Sequence, residues 1–214
     1  MATVSEHSGQ ASPGKTPRTA RGRETLRRLL DAAAKEFGER GFHEASVSSI
    51  TRQAGTALGS FYTYFDSKEA IFSALVKDMS QSVARAAAAT LSPGSIGTQR
   101  EREAFTGFLA FARQHKELYR IIDEAEFADP ASYRAHYEGT ARRIAARFDE
   151  SVAAGAMAPG DNEVRAWAVM GMNVFLGLRY GVWSEDRSVE EIAAVAEGLL
   201  KEGVDRHPAS TARR

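Results

Sequence analysis

The segment ITRQAGTALGSFYTYFDSKEAIF, residues 50–72, combines features that no single regular element tolerates well. Gly55 and Gly59 lie four residues apart with Thr56 between them, so one long continuous helix is disfavoured. The small and polar residues at its centre also argue against a core strand. The segment therefore predicts two short helices that are joined by a sharp turn.

Apolar residues around this segment repeat at intervals of three and four, which is the spacing of one helix face. The first such stripe covers residues 26–37, and Gly41 after it is a suitable helix stop. Ser46 is a candidate N-cap for a helix over about 47–54, and a third helix is expected over about 58–64. Phe61 and Phe65 are expected to pack inward from it.

The rest of the chain has the same helical character, without strand alternation or an internal repeat. Further helices are predicted over about 67–90, 100–114, 116–127, 162–180 and 188–205, and a long one follows Pro130 with an apolar stripe that extends to Val152. The fold class is therefore all-α with about nine helices. The first three form a helix-turn-helix domain, in which the second helix of the motif enters the major groove of DNA. An ordinary αα-hairpin within a helical bundle is the alternative.

The amino-acid composition limits the classes of protein to which this chain can belong. Hydrophobic residues make up 43% of the chain and charged residues 26%, which is ordinary globular usage. The absence of cysteine excludes disulfides and thiolate metal sites. No apolar run approaches the ~20 residues that a membrane span needs, and the N-terminus lacks the apolar core of a secretory signal. A cytoplasmic protein without membrane contact is expected.

The formal net charge of zero hides an asymmetry. Residues 1–68 hold 10 Lys and Arg against 7 Asp and Glu, and residues 69–214 hold 18 against 21. A basic front on an acidic body suits a contact with a polyanion, although a solvated basic tail would give the same count. Residues 1–20 are poor in large apolar side chains and are predicted to be a disordered basic tail.

The run from Arg23 to Phe72 resembles the DNA-binding domain of the tetracycline-repressor (TetR) family. The motifs that carry the resemblance are Ile50-Thr51, Ala54-Gly55-Thr56-Ala57, Gly59-Ser60-Phe61-Tyr62, Tyr64-Phe65 and Ser67-Lys68-Glu69. Three positions depart from the family pattern, namely Thr51, Thr56 and Ala57. The usual Ser at position 57 caps the recognition helix, which Ala57 cannot do, so we expect Thr56 to take over the cap.

The resemblance implies a homodimeric transcriptional regulator, most often a repressor, that binds a palindromic DNA operator. The positions that it turns toward DNA are Arg21, Arg23, Ser46, Ser48, Thr56, Leu58, Gly59, Ser60, Tyr62, Thr63, Tyr64 and Lys68. Leu58 and Ser60 are the candidates for base-edge contact. Tyr62, Tyr64 and Lys68 are expected to hold phosphates, which set position and not sequence. The two arginines before the first helix are expected to reach the minor groove.

The C-terminal domain is expected to bind a small, mostly apolar effector of aromatic or acyl type, whose binding releases the operator. Candidate lining residues are Phe105, Phe108, Tyr119, Phe127, Tyr137, Trp167, Met170 and Asn173. Each of them has packing in the core as its alternative. The homodimer is expected to form through residues about 162–205. His115 and His136 lie 21 residues apart without a companion cysteine, so no metal site is expected, and no cofactor.

The predicted boundaries are a tail over 1–20, a helix-turn-helix domain over 21–68 and a ligand-binding and dimerisation domain over 69–207, with 67–90 as the connecting helix. An enzyme is not expected, because nucleophile elbows, glycine-rich phosphate loops and HExxH motifs are missing from the sequence. The alternative function is an all-α small-molecule-binding or scaffold protein without operator binding, which the departures at Thr56 and Ala57 would favour.

Overall fold

The computed structural model describes residues 17–202, and all regular secondary structure in that range is helical. The helices are α1 (Ala20–Glu44), α2 (Val47–Gln53), α3 (Leu58–Phe61), α4 (Lys68–Ala89), α5 (Gly97–Gln114), α6 (Glu117–Ala128), α7 (Pro130–Ala153), α8 (Asn162–Gly177) and α9 (Val189–Glu202), with a π-helical turn at Leu178–Trp183. The all-α prediction is confirmed. Most of the predicted tail, and the ends of the predicted dimer and C-terminal ranges beyond 202, lie outside the described residues.

The chain divides into two compact units. The first unit takes the residues up to 81 together with 117–137, and the second takes 82–116 and the residues from 138 onward. Helices α4 and α7 therefore each contribute residues to both units. This division assigns α6 to the first unit, whereas the boundaries drawn from the sequence group it with the C-terminal domain.

The core of the first unit takes large apolar side chains from five of its helices. Phe37, Ile50, Phe61, Phe72 and Ile121 come from α1, α2, α3, α4 and α6, and each is almost completely buried. The rings of Phe37 and Phe72 meet edge to face with their centroids 5.0 Å apart. Each such buried side chain contributes about 1.5–3 kcal/mol to folding. The inward packing predicted for Phe61 is thereby confirmed, and Phe65 is buried as well.

Helix α6 lies directly against α1. A Cβ added to Gly38 would lie 2.5 Å from the Cβ of Glu117, so only glycine allows this approach of the two helices. The Arg120 guanidinium donates to the Gly38 carbonyl oxygen at 3.1 Å, and Glu124 accepts a hydrogen bond from the backbone N–H of Phe42. These bonds satisfy backbone groups where α1 is interrupted at Gly41, whose φ is 82°. The predicted helix stop at Gly41 corresponds to this interruption.

In the second unit, α5 packs against α9. Phe105 and Leu109 of α5 form a buried cluster with Ile192, Ala193 and Ala196 of α9. The small side chains of α9 let the two helices approach closely.

The other side of α5 is fixed by polar contacts to α7. Arg147 makes a bidentate ion pair with Glu101, with two N–O distances of 2.6 Å, and the backbone N–H of Gly97 donates to the Ser151 hydroxyl at 2.9 Å. Because Glu101 is buried, its two charge-assisted bonds are strong and specific in direction. They set α5 and α7 antiparallel with a defined register.

Candidate nucleic-acid interface

The turn between α2 and α3 has helix-turn-helix geometry. The Ser46 hydroxyl accepts a hydrogen bond from the backbone N–H of Ser49 at 3.1 Å, which confirms Ser46 as the N-cap of α2. Gly55 then adopts a φ of 62°, a left-handed conformation that favours glycine and reverses the chain direction. Helix α3 begins three residues later at Leu58. It is shorter than predicted, because residues 62–64 continue only as hydrogen-bonded turns.

The expectation that Thr56 caps α3 is wrong. The N-cap of α3 is Ala57, and no side chain bonds to the first turn of the helix. The Thr56 hydroxyl is instead buried without a hydrogen-bond partner among the described residues. The free backbone N–H groups at the start of α3 are therefore left for an external acceptor.

Helix α3 and the turn that follows it present four exposed residues. Leu58 is 49% exposed and Tyr62 50% exposed, and Gly59 and Thr63 are exposed beside them. We call these four residues the α3 face. A Cβ at Gly59 would have no atom within 4 Å, so packing inside the chain does not explain this glycine. The fully buried Phe61 holds the short helix in position beneath the face.

Other predicted DNA-facing residues surround the α3 face. Ser46 and Ser48 are exposed at the start of α2, whereas Ser60 and Tyr64 are half-buried. Tyr64 lies near the start of α1, since a Cβ at Gly22 would lie 3.6 Å from its hydroxyl oxygen.

The arginines at the start of α1 make one hydrogen bond to the backbone, from the Arg23 guanidinium to the Arg18 carbonyl oxygen at 3.5 Å. Arg21 and Arg23 are both exposed, and Thr19 caps the helix beside them by accepting from the backbone N–H of Gly22 at 3.1 Å. Acidic partners for the two arginines are absent among the ion pairs of residues 17–202. Their charges therefore remain available to a polyanion.

Lys68 has a different environment from the one expected. Its ammonium donates to the carbonyl oxygens of Phe42 at 2.7 Å, Ala45 at 3.1 Å and His43 at 3.2 Å. It also lies 4.6 Å from the centre of the Phe42 ring, a cation–π distance. All three of its N–H donors are thus used at the end of α1. Phosphate contact by Lys68 stays a prediction, and this geometry does not support it.

The sequence interpretation missed two groups of residues here. Glu36 is buried and accepts hydrogen bonds from the Ser49 hydroxyl and from the Gln53 amide, which fixes α2 on α1. Arg28 and Arg52 are exposed cations without an ion pair among the described residues. Arg28 also lies close to the turn, because its guanidinium is 3.9 Å from a Cβ built on Gly55. A carboxylate on the apolar stripe of α1 was the available signal for Glu36.

Arg27 forms ion pairs within the first unit, whereas its neighbour Arg28 forms none among the described residues. Burial lowers the pKa of Arg27, but hydrogen bonds and attraction to Asp31 and Asp78 outweigh it, so that its pKa is raised. The guanidinium lies 2.7 Å from Asp31 and 2.8 Å from Asp78. Arg27 is therefore engaged within the first unit, and the cation beside it is not.

The predicted effector-binding residues are distributed over both units. In the second unit, Phe105 and Met170 are buried, Phe108 and Asn173 are half-buried, and Trp167 is exposed. Phe105 belongs to the cluster between α5 and α9, so it packs in the core.

The remaining three candidates lie in the first unit. Phe127 is 82% exposed on α6. Tyr119 and Tyr137 are half-buried, and burial is the largest cause of the raised pKa of both. Their phenols therefore stay protonated and can donate hydrogen bonds.

Metal-ligand clusters and membrane-spanning helices are both absent from residues 17–202. Within residues 17–202, no three His, Asp or Glu side chains converge as metal ligands would. No helix in that range combines the length and the apolarity that crossing a bilayer requires. A polar surface groove at the start of α5, lined by residues such as Thr98, Arg102 and Glu197, contains none of the predicted effector-binding residues.

Comparison with known proteins gives a consistent picture for the N-terminal part. The family model described as bacterial regulatory proteins, tetR family, matches residues 29–75. The HTH-type transcriptional regulator YdgC of Bacillus subtilis, itself uncharacterised, is 45% identical over 106 residues, which are 48% of this chain and 54% of YdgC. The chain thus spans about half the length of that relative in the match.

Solved structures extend the likeness to the whole fold. FadR from Bacillus subtilis, solved in complex with stearoyl-CoA, has a TM-score of 0.73 at 19% identity, over 84% of this chain and 99% of that one. FadR from Bacillus halodurans, a fatty acid degradation regulator, has a TM-score of 0.74 at 16% identity, over 90% of this chain and 100% of that one. At these identities the two structures establish a shared all-α fold.

Proposed function

We propose that this chain, a member of the TetR family of bacterial regulatory proteins, is a repressor that binds a palindromic operator as a homodimer and leaves it when an acyl-type effector binds. The observation that carries the proposal is the α3 face. It offers a glycine, two hydroxyls and one aliphatic side chain to the outside, on a short helix and the turn after it, both anchored by the buried Phe61. A helix of this kind fits the major groove of B-DNA.

The residues divide into those that position the protein and those that select a sequence. Exposed residues with hydroxyls that suit phosphate oxygens are Ser46, Ser48, Tyr62 and Thr63. The start of α3, which no side chain caps, adds backbone N–H donors. Leu58 suits a thymine methyl group, which is an apolar feature of the major groove.

Part of the selectivity is proposed to come from the shape of the DNA. The half-buried Ser60 is the second candidate for a base edge, and residues 56–64 contain no Arg, Asn or Gln. Arg21 and Arg23 are assigned to a narrow minor groove, whose negative potential attracts arginine.

Dimerisation is supported by an apolar stripe on α8 and α9. The stripe consists of exposed large side chains at helical spacing, namely Val164, Trp167, Phe175, Val195 and Leu199, and we call it the α8–α9 stripe. Gly171 and Gly198 lie along it, and a Cβ at either would meet no atom within 4 Å. Glycine inside a helix costs about 1 kcal/mol relative to alanine, so these two positions favour close approach by another chain. A second copy of this chain is the proposed partner.

Effector control is proposed from the family and from the fold. FadR of Bacillus subtilis has this fold and binds stearoyl-CoA in its crystal structure. By analogy we propose that this chain takes an acyl effector in its C-terminal half. Helix α4 contributes to both units, and two half-sites require recognition helices about 34–36 Å apart. Binding that changes this separation weakens DNA binding by about 1–3 kcal/mol, and operator DNA must weaken effector binding by the same factor.

The central test measures DNA affinity against salt. The full chain is titrated onto a duplex that carries palindromes from the region of its own gene, at ~50 and ~200 mM salt. Neutralisation of several phosphates in each half-site makes affinity fall steeply over this range. A double variant, Arg21→Gln with Arg23→Gln, is expected to reduce the salt slope. An affinity that does not change with salt, or no binding to any duplex, would favour the alternative of a ligand-binding protein without an operator.

A second titration tests effector control with stearoyl-CoA as the probe. Its affinity is measured by calorimetry with and without the operator duplex. The proposal requires weaker binding in the presence of DNA. Equal affinities in the two states would mean that the effector does not control the operator.

A further inference from the structure

The guanidinium groups of Arg142 and Arg143 on α7 lie close to Gly139. Contacts with the rest of the chain do not require glycine at this position. In the helix interior at Gly139, an added Cβ would lie 3.5 Å from a nitrogen of Arg143 and 3.8 Å from a nitrogen of Arg142, both ordinary contact distances. By comparison, an added Cβ at Gly107 would lie 2.2 Å from the Ala86 carbonyl oxygen. Packing therefore explains Gly107, but it does not explain why α7 accepts the cost of about 1 kcal/mol at Gly139.

Arg143 carries a positive charge that the second unit does not neutralise. Its guanidinium donates to the Thr140 hydroxyl at 2.9 Å and makes no ion pair with any described residue. Arg142 has a long ion pair of 3.7 Å with Glu138, and the charge of Arg147 is taken by Glu101. Burial and then repulsion from Arg147 and Arg142 lower the pKa of Arg143. An uncompensated cation in a cluster of cations favours an anion nearby.

The pairing of α5 with α7 shows which of the predicted effector-binding residues on α5 lie level with Arg142 and Arg143. Arg147 pairs with Glu101, and Ser151 with Gly97, so each step toward the start of α7 moves toward the end of α5. One turn before Arg147 on α7 corresponds to one turn after Glu101 on α5. Arg143 and Gly139 therefore lie at the level of the α5 residues from 104 to about 109. Phe108, half-buried, is among them.

We propose that Arg142 and Arg143, whose guanidinium groups meet above Gly139, form an anion subsite for the charged head group of an acyl effector. The head group is a phosphate of an acyl-CoA or the carboxylate of a free fatty acid, and both offer oxygens to which arginine donates two parallel hydrogen bonds. Glycine at position 139 lets both guanidinium groups lie close to the helix backbone. The inference rests on the proposed control by an acyl effector and names the residues that recognise its charged end.

The test compares three ligands on the full chain by calorimetry: palmitoyl-CoA, palmitate and the uncharged monopalmitoylglycerol. Arg143→Gln is expected to weaken binding of the anionic ligands about tenfold or more, because a hydrogen bond to a charged group is lost, and to leave the uncharged ligand unchanged. Arg134→Gln is the matched control, since Arg134 is an exposed arginine on the same helix without an ion pair among the described residues. Loss for palmitoyl-CoA alone identifies phosphate as the anion, and loss for both anionic ligands identifies a group that they share.

Gly139→Glu separates recognition from folding. The new carboxylate would pair with both guanidiniums and occupy the subsite, so anionic ligands are expected to bind at least as weakly as to Arg143→Gln. Thermal stability should stay equal or rise, because glycine leaves the helix and an ion pair forms. Wild-type affinity for palmitoyl-CoA in both Arg143→Gln and Gly139→Glu would overturn the subsite while effector control stands. If the wild-type chain binds none of the three ligands, the subsite and the acyl effector are both wrong.

Discussion

The α3 face and the α8–α9 stripe are both exposed surfaces, but they differ in chemistry. The α3 face presents a glycine, hydroxyls and a single aliphatic side chain, and it is compatible with water when DNA is absent. The α8–α9 stripe presents two aromatic rings and three aliphatic side chains on the outward faces of two helices, with Phe175 72% exposed. The difference indicates a transient polar partner for the first and a permanent apolar partner for the second.

The largest expected effect comes from charging the α8–α9 stripe. Phe175→Glu places a carboxylate in the proposed contact between two copies, where desolvation is costly, so the protein should sediment as a monomer at micromolar concentration. Loss of one half-site should weaken operator binding roughly 100-fold or more, within the range that separates specific from non-specific complexes.

Phe127→Glu is the control for that substitution, because Phe127 is 82% exposed but lies on α6, outside the stripe. It should sediment as wild type does. If Phe175→Glu also kept the wild-type mass, the stripe would not be the dimer contact.

A second substitution tests whether Lys68 contacts DNA or stabilises the end of α1. Lys68→Met removes three hydrogen bonds to the carbonyls at the end of α1 and should lower the free energy of unfolding by about 3 kcal/mol. Lys77→Met is the control, an exposed lysine of the same helix, and should change stability little. Urea denaturation provides the measurement. Unchanged stability combined with weaker DNA binding would instead make Lys68 a phosphate contact.

Within the α3 face, the roles of two exposed residues can be separated. Leu58→Ala should change the ranking of operator variants by about 1–3 kcal/mol at the affected base pair, because an apolar contact to a thymine methyl is lost. Tyr62→Phe should weaken binding to all variants alike, because a phosphate contact carries no sequence information. Binding assays on a set of single-base operator variants distinguish the two patterns. Reversed patterns would exchange the proposed roles.

The smallest effect concerns a carboxylate outside both surfaces. Burial would raise the pKa of Glu103, but hydrogen bonds from the Ser92 backbone N–H at 2.9 Å and from Gln99 at 3.1 Å help to lower it to about 2. Because the folded state holds the ionised form, Glu103 stabilises the fold above pH 4.5, and this contribution is lost as pH falls toward 2.

Glu103→Gln should therefore be less stable than wild type near pH 7, by no more than ~1 kcal/mol for a solvated group. The difference should shrink below pH 4.5 and vanish near pH 2. Thermal melts at several pH values test this. A difference that stays constant with pH would show that ionisation of Glu103 does not contribute.

The α3 face was predictable from the sequence because its signals are local. Gly55, the N-cap Ser46 and the buried pair Phe61 and Phe65 act within a few residues of chain, where spacing decides the structure. The capping role of Thr56 was predicted wrongly, because the burial of its hydroxyl depends on neighbours that spacing does not reveal.

The α8–α9 stripe was harder to predict because both faces of these helices are apolar. The range predicted for the dimer contact, about 162–205, includes Ala193 and Ala196, which the structure buries against α5 within one chain. The outward face of α9 could be identified only from the structure, in which the opposite face packs on α5. The environment of Lys68 also depends on packing between distant parts of the chain. Its acceptors lie 23–26 residues earlier, so the local sequence did not predict it.

The attachment of α6 to α1 has a consequence for protein engineering. A chimaeric regulator made by exchanging DNA-reading modules at the linker near residue 68 would separate Gly38 from Glu117 and the Gly38 carbonyl from Arg120. The transplanted module would then lack the helix that satisfies its backbone and covers its apolar side. Functional exchange of specificity therefore requires that residues 117–137 travel with the N-terminal segment, or that the new host supplies a helix with the same contacts.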